Sequence, residues 1–250
     1  MNKLSVVIIT FNEARNIKRA IQSVKNIADE IIIVDSFSTD DTPAICQSLN
    51  VQFHQQKWLG YSEQKNYANS LAKFPTIFSL DADEAVDKNL EKEIINLKEE
   101  GFKAIYAVNR MTNYCGQWIK HSGWYPDKKI RIFPKETKWE GIVHETLQFE
   151  KEYPEIELAG HLEHYSYYSF EQHKQVADKY SYLTAIKMNN KGKKASVVKP
   201  YLSAFGRFVS MYLIKLGFLD GKMGFKIAQI SAKSNILKYQ ELRRLNRESN

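Results

Sequence analysis

The sequence predicts an α/β fold, a mostly parallel sheet flanked by helices, with a C-terminal helical extension. Three observations predict it. Apolar strand-like runs alternate with helical periodicity through the first half of the chain. Polar residues gather where those runs end. The last fifth of the chain changes composition and reads as basic, amphipathic helix.

The first strand spans about residues 3–10, and Ala14, Ile17, Ile21 and Val24 then recur at helical steps, with Asn12 as the expected cap. Residues 30–35 form an unbroken apolar run ending in Asp35, as a strand covered on both faces requires. Asp40-Asp41-Thr42-Pro43 opens a second helix, with acids and proline suited to a first turn. A short strand near 51–54, a helix over 62–72 and a strand over 76–80 follow, the last running into Asp81-Ala82-Asp83. Residues 104–164 read as strands and aromatic-rich loops, and the chain past Ser169 reads as helix. The polar stretch 189–194 marks the expected boundary between a catalytic domain (1–194) and the extension (195–250).

Composition excludes several classes. The chain has 250 residues, 43% hydrophobic and 26% charged, which suits one sizeable folded core. Its two cysteines, Cys46 and Cys115, are too few for a disulfide framework or a thiolate zinc site, and a reducing compartment suits them. The N-terminus shows no signal-peptide pattern, and no apolar run reaches the ~20 residues of a membrane span. Residues 199–250 carry ten Lys or Arg against three acids, so the whole formal charge of +7 lies there. That is not the distribution of a uniformly basic nucleic-acid binder, and no nucleic-acid partner is expected.

Ligands of open parallel sheets bind beyond the carboxyl ends of the strands. Three polar groups fall at such ends: Thr10-Phe11-Asn12-Glu13, the segment from Asp35 through Ser38 to Asp40, and Asp81-Ala82-Asp83. The turn after the first strand has no glycine, so a dinucleotide pyrophosphate has no close backbone approach there. The same turn lacks the glycine-rich, basic loop of a nucleotidyltransferase, the competing enzyme class. A non-catalytic binding module would have no need to keep these acids. Two carboxylates at the end of an apolar strand suit Mg2+ or Mn2+ bridging phosphates.

These residues carry a resemblance. Residues 6–13, 33–40, 64–66 and 80–84 resemble family 2 glycosyltransferases of the GT-A type, whose fold is Rossmann-like. Residues 131–134, 139–145, 164–167 and 217–221 resemble, within that family, the bacterial lipopolysaccharide-core β-1,4-glucosyltransferase subgroup. The resemblance implies an inverting, metal-dependent transfer from a UDP-sugar to a lipid-linked or anionic glycan, with glucose as donor sugar and inner-core heptose as acceptor. It implies that Thr10, Asn12, Glu13, Asp35, Ser38, Lys65 and Asp81 bind the nucleotide, with Asp35 accepting a hydrogen bond from uracil. Asp83 is the implied metal ligand, with His164 as a second ligand and His161 as its rival.

Inversion needs one base to take the acceptor hydroxyl proton. Glu145 is the first choice, with His144 orienting it or acting itself, and Asp127 and Glu140 as alternatives. The general family pattern has Glu-Asp where this chain has His144-Glu145. Trp118, Trp124 and Trp139 either pack the irregular half of the domain or floor the acceptor site; the acceptor set is taken as Trp124, Asp127 and Trp139. The apolar face of the tail either docks on the catalytic domain or a second subunit, giving a homodimer, or lies on the inner face of the cytoplasmic membrane as a peripheral anchor.

Overall fold

The computed structural model describes residues 2–141 and 145–248. Their elements run β1 (Leu4–Thr10), α1 (Ile17–Val24), β2 (Glu30–Asp35), α2 (Thr42–Ser48), β3 (Gln52–Gln55), α3 (Tyr61–Leu71), β4 (Thr76–Asp81), β5 (Glu84–Val86) and α4 (Lys88–Glu100). Next come β6 (Ile105–Tyr114), β7 (Gln117–Trp118), β8 (Lys128–Pro134), β9 (Lys138–Glu140), β10 (Thr146–Gln148) and β11 (Glu155–Tyr167). The chain then turns helical: α5 (Phe170–Asn190), α6 (Lys199–Val209), a π-helical turn (Ser210–Ile214), a 3-10 turn (Gly217–Asp220) and α7 (Gly221–Glu248). Two compact units result. The first holds Met1–Arg110 and Asp127–Tyr165, the second Met111–Pro126 and Ser166–Asn250.

In the first unit the strand order is β3-β2-β1-β4-β8-β6-β11-β5. The β1–β2, β1–β4 and β2–β3 pairs are parallel, and β8 then joins β4 antiparallel. Alternation along β1 decides both cores. Leu4, Val6 and Ile8 face a cluster with Ile17, Ile21, Val24, Leu90 and Ile94 from α1 and α4. Val7 faces the other way, against Ala68 and Ala72 of the α3 region, Phe133 and Trp139. Because β2 and β3 extend from one side of β1 and β4 from the other, the chain reverses direction across the sheet between β1 and β4. A crevice opens at the carboxyl ends of strands around such a reversal. The register places Thr10 opposite Asp35 and Ile9 opposite Asp81, so the expected polar groups meet there.

Some local expectations change. Asn12 is not the cap of α1: the helix begins at Ile17 after Asn16. Asn12 instead adopts a left-handed φ of 54° and accepts a hydrogen bond from the Thr39 amide at 2.8 Å. The two units do not follow the boundary drawn at residue 194. α5 belongs to the second unit with α7, where Ser181 Oγ donates to Ser234 O at 3.0 Å.

The second unit has its own core of Tyr114, Ile119, Met211, Ile227 and Ala228. Its 217–221 segment is a packing device. Buried Asp220 accepts from the Lys120 and His121 amides and meets His121 Nδ1 at 2.9 Å. Gly224 lies so close to the Gly217 carbonyl that a β-carbon there would collide with backbone. Gly224→Ala therefore costs about 1–3 kcal/mol of stability, the usual range for overpacking, measured as a lowered urea midpoint.

Candidate active site

The end of β4 is built around a buried guanidinium. Arg131 enters from β8, with 3% of its surface exposed, and its Nη2 reaches Asp81 at 2.6 Å and Glu84 at 2.5 Å. Glu84 is fully buried and also accepts from the Asp81 amide at 3.2 Å. Arg110 lies 3.5 Å from Glu84 and 2.7 Å from Asp127, which also pairs with Lys129 at 2.9 Å. A charge taken out of water is tolerated only when paired, and this chain of alternating signs supplies the pairing. Burial alone would raise the Asp81 carboxyl, but Arg131 and then Lys65 overcome it and hold the group far below the ordinary carboxylate range. Burial dominates at Glu84, which is raised even though Arg131 opposes it.

Asp83, in the turn after β4, has different neighbours. Its Oδ2 lies 3.1 Å from His164 Nε2, and its carbonyl accepts from the Tyr165 amide at 2.9 Å. The two acids of the strand-end pair thus divide: Asp81 is neutralised by cations, while Asp83 faces an imidazole. His161, the rival histidine, instead meets Asp87 at 3.1 Å. Glu13 completes this side; burial raises its carboxyl against a hydrogen bond from Asn16, and Asp83 and Asp40 raise it further.

Lys65 of α3 links the acids to the candidate base. Its Nζ lies 3.5 Å from Asp81 and 4.0 Å from Glu145, above the Trp139 ring at 4.5 Å from the centroid. α3 also holds the approach to Glu145. Asn66 exchanges two hydrogen bonds with the Trp139 backbone, at 2.9 and 2.8 Å, and Ser62 Oγ donates to the Gly141 carbonyl at 2.6 Å. His144 lies outside the described residues.

At the carboxyl end of β2, Asp35 is completely buried and its oxygens already accept from the Ser38 amide, Ser38 Oγ and Gln55. It shapes the 36–39 loop at the carboxyl end of β2, where the resemblance implies a uracil contact. Ser38 Oγ in turn accepts from the Asn12 amide at 2.8 Å. Buried Thr10 Oγ1 has no hydrogen-bond partner among the described residues.

Two acceptor candidates pack against other aromatic rings. Trp139 is 7% exposed and set edge-on against Phe133, so it has little face left for a sugar. Trp124 belongs to the second unit, in an aromatic group with Tyr114, Tyr167 and His173. Asp127, clamped by Arg110 and Lys129, has its carboxyl lowered despite burial and makes a poor base. Arg131 and Glu84 lie in segments that carry the resemblance, but the sequence assigns neither of them a role. The available signal was a charge inside the apolar run 130–133, which demands a buried partner. A cavity of about 460 Å3 lined by Ile21, Lys25, Asp29 and Asn50 lies at the opposite end, beside Glu30 where β2 begins, and contains none of these groups.

Arg131→Met leaves buried Glu84 and half-buried Asp81 without their main partner. It is expected to cost about 3–5 kcal/mol near neutral pH, measured by chemical denaturation. The depressed Asp81 carboxyl contributes stability above its ordinary pKa that is lost as pH falls through the folded value. In the variant the orphaned carboxyls take up protons earlier, so the gap between the two proteins should narrow as pH falls toward 4.

Residues 5–198 match the profile of glycosyl transferase family 2. An uncharacterized glycosyltransferase of Rickettsia felis is 34% identical over 269 residues, covering 97% of this chain and 90% of its own length. The lipopolysaccharide core biosynthesis glycosyltransferase LpsC of Rhizobium meliloti is 40% identical over 94 residues, 36% of this chain and 34% of that one. The crystal structure of Staphylococcus aureus TarS 1-349 aligns over 99% of this chain and 92% of its own, with 16% identity and a TM-score of 0.43. With a family profile matched over most of its length and a relative matched nearly end to end, the chain belongs to glycosyl transferase family 2 and is a glycosyltransferase.

Proposed function

We propose that this glycosyltransferase inverts the anomeric centre of a UDP-sugar, with glucose as the sugar, and delivers it to a lipid-linked glycan such as inner-core heptose of lipopolysaccharide. The observation that carries the reading is the separation of Asp81 from Asp83 at one strand end. One acid is tied to Arg131 and Lys65, and the other is turned toward His164. The partial likeness to LpsC supports the acceptor class.

The donor set of Asp83 and His164 fits Mg2+ or Mn2+. Two protein ligands 3.1 Å apart leave most positions to diphosphate oxygens and water, the habit of these ions, and imidazole is acceptable to Mn2+. When bound, such an ion neutralises the charge that develops on the departing nucleotide. Thr10, Asn12 and Ser38 wall the nucleotide side, and Lys65 adds a fixed positive charge between that side and Glu145. Glu145 takes the proton from the acceptor hydroxyl as the new bond forms to the anomeric carbon. The bond to the leaving diphosphate oxygen breaks on the opposite face, so one displacement inverts the centre without a covalent sugar intermediate.

Glu145→Gln is expected to lower the transfer rate roughly 10²–10⁴-fold while leaving UDP binding unchanged, read by single-turnover kinetics and calorimetry. A near-normal rate would move the base elsewhere. Asp83→Ala should abolish the dependence of UDP binding on Mn2+ and preserve the fold by circular dichroism; transfer that persists in excess chelator would defeat the metal assignment.

A further inference from the structure

α6 packs the reverse of an ordinary amphipathic helix. Toward its neighbours it turns small residues: Pro200 and Ala204 are buried, and Ser203 accepts from Asn235 of α7 at 3.2 Å. Its large apolar side chains point to solvent instead. Tyr201, Leu202 and Phe205, at helical spacing, are 57, 65 and 71% exposed. The same holds beyond the π-helical turn, where Leu213, Ile214, Phe218 and Leu219 are exposed and Ile214 reaches 73%. Phe208, Tyr212, Phe218 and Phe225 pack against one another, mostly edge to face, at 5.4–6.3 Å between centroids, so this surface stands on a firm base.

The charges around this surface are of one sign. Residues 191–240 contain ten Lys or Arg and a single acid, Asp220, which is buried. None of the ten makes an ion pair with a carboxylate among the described residues. Lys238 is lowered by burial and then by Arg207 and Lys199, three cations crowded together beside α6.

We propose that the surface formed by α6, the π-helical turn and the 3-10 turn inserts into one leaflet of an anionic lipid bilayer, with Tyr201, Leu202, Phe205, Leu213 and Ile214 in the acyl boundary and Arg207 and Lys215 at the headgroups. Charge decides among the possible occupants. A second copy would set the same patch against itself and oppose like charges across the two-fold axis, whereas anionic headgroups neutralise them. Spanning is disfavoured too. No single helix among the described residues is long and apolar enough to cross; the pair 199–214 and 217–248 reaches that length only with a 73° bend. Moreover, α7 is held to α5 through Ser181 and Ser234. Large apolar side chains flanked by cations, on an element lying flat, are the signature of an interfacial anchor.

The test is flotation of the full chain with phosphatidylcholine vesicles, with and without phosphatidylglycerol, while light scattering follows oligomeric state. It contains no sugar, so it stands or falls separately from the transfer reaction that an anchored enzyme would carry out on a lipid-linked acceptor. The chain should bind anionic vesicles at low salt. Phe205→Ser with Ile214→Ser should weaken partitioning roughly a hundredfold, given the transfer free energy of two large apolar side chains. Arg207→Gln with Lys215→Gln should weaken it roughly thirtyfold on anionic vesicles and leave neutral ones unaffected. UDP binding should stay unchanged in both variants. Absence of binding to anionic vesicles at low salt, or binding that neither variant weakens, overturns the proposal. So does an oligomer that Phe205→Ser with Ile214→Ser dissociates without changing vesicle binding, which would assign the face to a second copy.

Discussion

Arg131 holds together the part of the molecule where chemistry is expected. A guanidinium buried in β8, the strand that joins β4 antiparallel, would be ruinous alone. With Asp81 and Glu84 on one planar donor group it becomes a fixed point for the end of β4. Asp81 then cannot swing out, and its amide, held by Glu84, defines where the turn to Asp83 begins. The extension through Arg110 to Asp127 ties three segments distant in sequence to the same network.

That anchoring explains how two aspartates separated by one residue acquire different chemistry. Asp81 sits between two cations that hold its carboxyl far below the ordinary range, which makes it a rigid hydrogen-bond acceptor. Asp83 lies past the last strand residue, beside an imidazole from β11, where hard and borderline ligands face the same space. Lys65 spans the gap to Glu145, so the charge that steadies the strand end also borders the candidate base. α3 therefore has two tasks: it covers one sheet face and it clips the segment that leads to Glu145.

The helical unit follows a different logic. Its close helix approaches use glycine, serine and alanine, as at Gly217 with Gly224 and Ser181 with Ser234. Small contact residues inside leave the large apolar ones outside. A soluble helix normally buries its broad apolar face, because that burial drives its folding. Here α6 makes its close contacts through Pro200, Ser203 and Ala204, and its large apolar side chains at Tyr201, Leu202 and Phe205 stay in contact with solvent.

The strand–helix alternation, the crevice-forming acids and the basic tail were all legible in the sequence. Each rests on local signals, such as an apolar run of period two, a carboxylate at its end or a charge count. Tertiary structure alone decided what those groups touch. Asp35 reads as a lone strand-end acid until the 36–39 loop folds back on it, and Trp139 reads as a sugar platform until β9 lays it against Phe133. Arg131 looks like an isolated charge in a strand, since Asp81 and Glu84 lie about fifty residues earlier and meet it only because β8 pairs with β4. Likewise the outward face of α6 cannot be told from an inward one by periodicity, which is the same for both. Sequence pattern determines which residues share a face or a strand end; only packing determines what that face or end is set against.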